Sequence, residues 1–384
     1  MEIPGEWEFR MTIDEISSMN QEAGPPEFDI VQADIQLTCA KCLRWLLDEV
    51  RITDSELIIS GWALAYGRDP KEFRFLLNGR PFASAEWPLP SPYLLEHFCY
   101  IPGAANARFV CSQAFGSLDE VFVNGFACFS FTTPQGQHRR SYRHSWYYPD
   151  PRRSSPLPED ERIARIIGQP DRNSYLFGGA TTALRYEAYL KERFGRSYGD
   201  FRRILDWGCG CGRLTRHLVG TPGPAIVGAD IDADNIAWCR DNLTGGAFQV
   251  LPLRPPTLFA EEQFDLVIGT SVFTHLAKDV QLAWLGELRR ITSRGAVLLM
   301  SVHGLSQLAL YRAPTEYFVI IERQGLYEAE DNPQLNGMIG EANYYKNVYH
   351  SHDYIYSEWG RFFEVIDIVD ALASNQDLVV LYRR

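Results

Sequence analysis

The chain has 384 residues, of which 46% are hydrophobic and 22% charged, and it carries a formal net charge of −12. The length exceeds the usual size of one compact core, so two domains are expected. The acidic balance excludes broad electrostatic binding to nucleic acid or anionic membranes. No apolar run is long enough to span a bilayer, and the start MEIPGEWEFR has no signal-peptide pattern, so a cytoplasmic location and no membrane partner are expected.

The first part, residues 1–150, reads as a β-rich accessory or substrate domain. Short apolar or alternating runs recur at Glu56–Leu64, Glu72–Leu77, Leu95–Ile101, Ala107–Ala114 and Val121–Phe131. Asn78-Gly79, Pro102-Gly103 and Asn124-Gly125 punctuate them as turns, which predicts a small sandwich or barrel. Of eight cysteines, Cys39 and Cys42 form a single CxxC. No second pair completes a zinc set, so reduced thiols are expected. Trp62, Tyr66, Trp87, Tyr93 and Tyr100 read as core or as a stacking surface. Thr133–Pro158 has no period and reads as a linker or a loop laid over the surface, and its run His138–His144 is basic.

Beyond residue 158 strand and helix signals alternate. Strands are expected at Ile204–Trp207, Ala225–Ile231, Phe248–Leu251, Phe264–Thr270 and Ala296–Val302, with helices between them. That order predicts a doubly wound, mostly parallel α/β sheet. Phe363–Val369 and Leu378–Leu381 are joined by a connection too short for a crossover, which predicts an antiparallel hairpin at the sheet edge.

The most informative stretch is Ile204-Leu205-Asp206-Trp207-Gly208-Cys209-Gly210-Cys211-Gly212-Arg213. A strand runs into glycines at alternate positions and then into a helix, whose first N–H groups are free to meet a negative group. A dinucleotide site needs its third glycine one residue later, where Arg213 stands. The GxGxG form suits a ligand without pyrophosphate, such as S-adenosylmethionine, which offers a carboxylate and an ammonium group. Asp230 follows Gly212 by 18 residues at the end of the next strand, where a carboxylate can accept bonds from ribose hydroxyls. A tight turn with a helix-capping Asp is the alternative reading.

These residues, with GADID, FDLVIGTSVFTHL, WLGELRRI and GAVLLMSVHG, closely resemble the Rossmann-like class I methyltransferases. The narrower likeness is to a bacterial group with GCGCGR and SVFTHL motifs. The resemblance covers residues 158–384 and implies a seven-stranded sheet with a reversed last strand. It assigns 201–384 to the methyltransferase domain and 151–200 to a linker with helices that cover the cofactor. Asp206, Gly208, Gly210 and Gly212 would surround the methionine part, and Ile231 would lie against the adenine. Thr270 and Ser271 would border the cofactor, and Tyr175, Phe177 and Gly178 would fold over it. Leu251 departs from the pattern, since relatives offer Asp or Asn there to the adenine.

The open-sheet rule places the methyl acceptor outside the carboxyl ends of the strands. His303 directly follows the fifth expected strand and is the leading candidate for a general base, with His350 in the Tyr-rich segment His303–Arg361 as its alternate. His275 reads as structural. No metal is expected at His350 and His352, because Asp353 is the one carboxylate near them in sequence. The expected activity is transfer of a methyl group to an O or N acceptor on a small molecule or glycan. The alternatives are a protein or peptide methyltransferase and a non-catalytic cofactor-binding protein. The oligomeric state is not legible.

Overall fold

The computed structural model describes residues 29–42, 45–65, 69–133, 141–310, 313–331 and 344–384. Tyr66, His138–Arg140 and Tyr311 therefore lie outside the described residues, as does the side chain of Cys42. The chain divides into two compact units. The first comprises Met1–Ser154, Glu159–Phe177 and Ala309–Ala313, and the second Ser155–Pro158, Gly178–Leu308 and Pro314–Arg384.

In the first unit, eight strands form two antiparallel four-stranded sheets. One sheet holds β1 (Trp45–Ile52), β2 (Glu56–Ala63), β5 (Ser84–Leu89) and β6 (Arg108–Ala114), in the order β1-β2-β6-β5. The other holds β3 (Arg74–Leu77), β4 (Arg80–Pro81), β7 (Phe126–Thr132) and β8 (Ser145–Pro149), in the order β4-β3-β7-β8. Their inner faces alternate as a half-buried strand should: Phe73, Phe75, Phe109, Phe129 and Phe131 pack with Trp45 in one aromatic core. Trp62 and Tyr148 are buried, Trp87 packs against Phe131, and Trp146 meets Phe177 edge-on at 5.7 Å.

Three local expectations are corrected here. Leu95–Ile101 is no strand: Pro92 opens a 3-10 turn, and Leu94, Phe98 and Ile101 are buried at i, i+4 and i+7, the spacing of a helical face. The run expected as a linker contains β8, whose Trp146 pairs with Phe129 on β7. β1 and β5 carry charged or exposed positions, which hid them from a search for apolar alternation.

The second unit is a Rossmann-like fold. Its strands are β9 (Arg203–Trp207), β10 (Ala225–Asp230), β11 (Gly246–Val250), β12 (Phe264–Gly269), β13 (Thr292–Val302), β14 (Leu326–Asp331), β15 (Lys346–His350), β16 (Glu364–Ala373) and β17 (Gln376–Tyr382). Seven of them form one sheet in the order β11-β10-β9-β12-β13-β17-β16, and β14 pairs with β15 in a separate ribbon. The first five strands in that order are parallel; β17 runs against both β13 and β16. All six residues of β12 are buried, as a parallel strand covered on both faces requires. The helix Lys278–Ile291 buries Val280, Trp284, Leu285, Leu288 and Ile291, spaced at three and four residues, against this core.

The expected hairpin is β16–β17. Because β17 is reversed, its first residues lie beside the last residues of β13: Asp377 pairs with Val302 and Leu378 with Ser301. The carboxyl edge of the parallel strands thus receives side chains from the far end of the sequence. No helix among the described residues is long and apolar enough to cross a membrane.

Candidate functional site

The glycine run begins where β9 ends. Gly208, Gly210 and Gly212 take φ values of 74°, 52° and 77°, a region that costs any residue with a Cβ. Two of them are also packed. A Cβ on Gly208 would stand 2.3 Å from Cγ2 of Val272, and one on Gly212 would stand 2.3 Å from Cδ1 of Leu243. The turn is therefore pressed against the exit of β12 and the end of the helix Ala233–Asn242, a packing duty that the spacing alone did not reveal.

Asp230, at the end of β10, fastens this turn. Its Oδ2 accepts from the Gly210 N–H at 2.7 Å, and its Oδ1 accepts from the Asp232 N–H at 2.8 Å. Asp206, on the neighbouring strand, accepts from the Thr215 hydroxyl. Asp206 is buried and Asp230 half-buried, and loss of solvent pushes both carboxyls above the usual carboxylate range. Asp206 reaches about 6, with the Asp230 charge adding to the effect of burial. Two acids at the ends of adjacent strands make a cation-favouring floor.

Two uncompensated groups complete it. The Tyr186 hydroxyl and Thr270 Oγ1 are buried beside each other, and neither has a partner beyond that mutual contact. Thr270, Arg213 and Asp206 are the polar groups acting on that tyrosine. A buried unpaired hydroxyl costs about 1–3 kcal/mol, so such a pair is expected where a ligand supplies the missing bonds. Tyr186 is a site candidate that the sequence reading missed, because it sits mid-helix within Arg172–Phe194 with no motif to mark it.

Of the other expected cofactor residues, Ile231 is partly buried beside the core, and Leu251 is buried in it with its N–H on the Asp230 carbonyl. Ser271 has φ of 59° and donates its N–H to Ser301 Oγ at 2.7 Å. The hydroxyls of Ser271 and Ser301 both donate to Gln376 Oε1, at 3.1 and 2.6 Å. Gly178 belongs to the second unit, and its carbonyl accepts from Thr182. Tyr175 and Phe177 belong to the first unit, where both are buried.

The two proposed bases are both core residues. His303 is 6% exposed, with its ring 5.1 Å from Tyr349 and 5.9 Å from His275. Burial, with His275 and His350 nearby, holds it well below the usual imidazole range. His350 is 1% exposed; its Nε2 faces Gln281 Oε1 at 3.2 Å and its ring packs edge-on to Trp359. Burial pulls it down to about 3. Both are held neutral and are very weak bases. His275, read as structural, hydrogen-bonds the Lys346 carbonyl and stacks on Tyr345 at 4.3 Å. The Tyr-rich segment is largely core as well: Tyr344, Tyr349, Tyr354 and Trp359 are buried.

Comparison with known proteins matches this part of the chain. Residues 204–295 match the family described as a methyltransferase domain. That stretch runs from within β9 into β13 and so takes in the glycine turn, Asp206 and Asp230. The chain is 33% identical over 166 residues to the O-antigen chain terminator bifunctional methyltransferase/kinase WbdD of Escherichia coli. The match takes in 42% of this chain and 22% of that protein, so the chain spans about a fifth of the length of the curated relative it matches. Solved structures similar to part of the chain include the magnesium protoporphyrin IX methyltransferase ChlM of Synechocystis PCC 6803 with bound SAH (19% identity, TM-score 0.39, 58% of this chain and 94% of that one). A further one is an S-adenosylmethionine-dependent methyltransferase of Methanosarcina mazei (20% identity, TM-score 0.36, 48% and 93%).

Proposed function

We propose that the protein transfers a methyl group from S-adenosylmethionine to an oxygen or nitrogen of a small molecule or glycan. The observation that carries this reading is the pair of acids, buried Asp206 and half-buried Asp230, flanking three positive-φ glycines within the matched domain. The glycan class is supported by the likeness to an O-antigen chain terminator methyltransferase/kinase.

In this proposal the glycine turn and Asp206 hold the methionine part, Asp230 the ribose, and Ile231 and Leu251 the adenine. Thr270, Ser271 and Tyr186 line the reacting end, and Gly178 stands at the covering segment. The cofactor supplies a methyl group on a positively charged sulfur, a reactive carbon with a good leaving group. The protein's task is to orient the acceptor, to exclude water and to remove a proton from the acceptor. The carboxyls of Asp206 and Asp230, raised by loss of solvent, favour a bound ammonium and sulfonium, and such a cation draws both back toward the usual carboxylate range.

The test is transfer of tritium from methyl-labelled S-adenosylmethionine to a set of nitrophenyl hexosides. Counts incorporated by the wild type support the reading, whereas titration calorimetry with no cofactor binding contradicts it. The variant Asp230→Ala is expected to weaken cofactor binding by about 1–3 kcal/mol, since the ribose and the Gly210 N–H both lose their acceptor. Unchanged affinity in that variant removes Asp230 from the site.

A further inference from the structure

We propose that His352, held by Asp377, is the base that receives the acceptor's proton. The inference rests on the methyl-transfer reading above and names the residue that reading lacks. His303 and His350, the bases expected from sequence, are buried and held neutral, with depressed basicity. A base that works near neutral pH must reach solvent or substrate and keep an ordinary or raised affinity for protons.

His352 meets both conditions at the right edge of the sheet. It opens the helix His352–Glu358, and its side chain is 47% exposed. Its Nε2 lies 3.7 Å from Oδ2 of Asp377 and 3.7 Å from Oδ1 of Asp370. Asp377 is buried, at 3% side-chain exposure, and its Oδ1 accepts from the Ala371 N–H at 2.9 Å. That bond fixes the carboxylate, leaving Oδ2 for the imidazole. Gly304 makes room for the arrangement, since a Cβ there would stand 1.8 Å from Asp377 Oδ2.

A continuous set of contacts leads from the cofactor turn to this pair. Gly208 abuts Val272; the adjacent Ser271 and Ser301 both bond Gln376; and Gln376 is followed by Asp377 at the carboxyl edge of β13. The dyad thus stands on the side of the sheet where the open-sheet rule puts the acceptor. With Nε2 turned toward two carboxylates, the favoured tautomer carries its proton there and leaves Nδ1 as the proton acceptor.

The step balances simply. A lone pair of the acceptor oxygen or nitrogen forms the bond to the methyl carbon as the carbon–sulfur bond breaks. The sulfonium sulfur keeps that bonding pair and becomes a neutral thioether. The acceptor's proton passes to Nδ1 of His352 and then to water. Asp377 is a positioning residue. The charged groups facing His352 are Asp377 from β17, Asp370 from β16 and Asp353 from its own helix; together they raise its basicity, Asp377 most of all.

Two measurements test this. In an NMR titration of the histidine ring protons, His352 is expected to titrate above 6.5 in the wild type and lower in Asp377→Asn. The asparagine keeps an oxygen for Ala371, and a thermal melt checks that the variant is folded. In the tritium assay with nitrophenyl hexosides, His352→Gln is expected to lose about 10²-fold or more in turnover at unchanged cofactor affinity. The acid limb of the kcat/KM profile is expected to move to lower pH in Asp377→Asn. An unmoved His352 titration in Asp377→Asn, or full turnover by His352→Gln, overturns the dyad alone. So does loss of wild-type turnover to EDTA with recovery in Mg²⁺ or Mn²⁺, which would make His352, Asp370 and Asp377, grouped within 4.8 Å, a metal site instead. A wild type that neither binds cofactor nor transfers label overturns the methyl-transfer reading and the dyad with it.

Discussion

Gly208→Val is expected to reduce S-adenosylmethionine affinity by at least about 100-fold and to lower the melting temperature as well. Two costs add. A branched residue at φ of 74° carries backbone strain of about 1–3 kcal/mol. Its Cβ would also stand 2.3 Å from Val272 Cγ2, far inside contact distance, so the turn must lift away from the exit of β12. Lifting the turn pulls Gly210 from the Asp230 carboxylate, and the two halves of the proposed cofactor site then lose their common fastening. Gly208→Ala meets the same first contact but fewer atoms, and it is expected to fall between valine and wild type. Calorimetric titration of the folded variants measures the affinity, and wild-type binding by Gly208→Val would falsify the placement of this turn in the site.

Acidification is expected to destabilise the second unit strongly between pH 6.5 and about 4. His217, His275 and His350 are held at about 3, 4 and 3 by burial, and His303 also lies well below its ordinary value. The unfolded chain protonates these rings below about 6.5 while the fold does not, so the unfolded state binds more protons in that window. Stability therefore falls as the pH falls. The raised acids act in the opposite sense. Asp206, at about 6 in the fold, takes up its proton early and adds stability on acidification, as do Asp230 and Asp377 to a smaller extent. His352, raised in the fold, also adds stability in acid. Four strongly depressed histidines outweigh these, and a net loss on the order of 2–5 kcal/mol is expected from pH 7 to pH 5. Urea unfolding at pH 7, 6 and 5 measures it; a midpoint that does not move would mean that these rings are hydrated.

The parts of the fold that were legible in sequence are those where one local rule decides. β12 is a short run that is apolar but for Asp265, and the glycines at 208, 210 and 212 have a spacing that few structures other than a strand–turn–helix use. The close hairpin of β16 and β17 followed from connection length alone. What stayed hidden depends on contacts distant in sequence. The direction of the His350 ring is set by Gln281 and Trp359, 69 residues before it and 9 after it. His352 had a single acid near it in sequence, Asp353, yet in space it faces Asp370 and Asp377 from the two strands of the hairpin. β8 was taken as linker because Pro, Arg and aromatic residues surround it, although its aromatic face is what the aromatic core of the first unit requires.

The reversal of β17 has a consequence for how such a protein can change over evolutionary time. The turn and acids proposed for the cofactor are encoded contiguously between Asp206 and Asp230, whereas His352, Asp370, Gln376 and Asp377 come from the last few dozen residues of the chain. Running the final strand backwards delivers this late-encoded stretch to the same edge of the sheet without altering the strands between. Substitutions or insertions in the terminal hairpin and the helix before it can then explore new acceptors while the donor half is inherited untouched. If His352 and Asp377 serve the acceptor as proposed, chimaeras joined after Val302 are expected to change the acceptor while keeping the affinity for the cofactor.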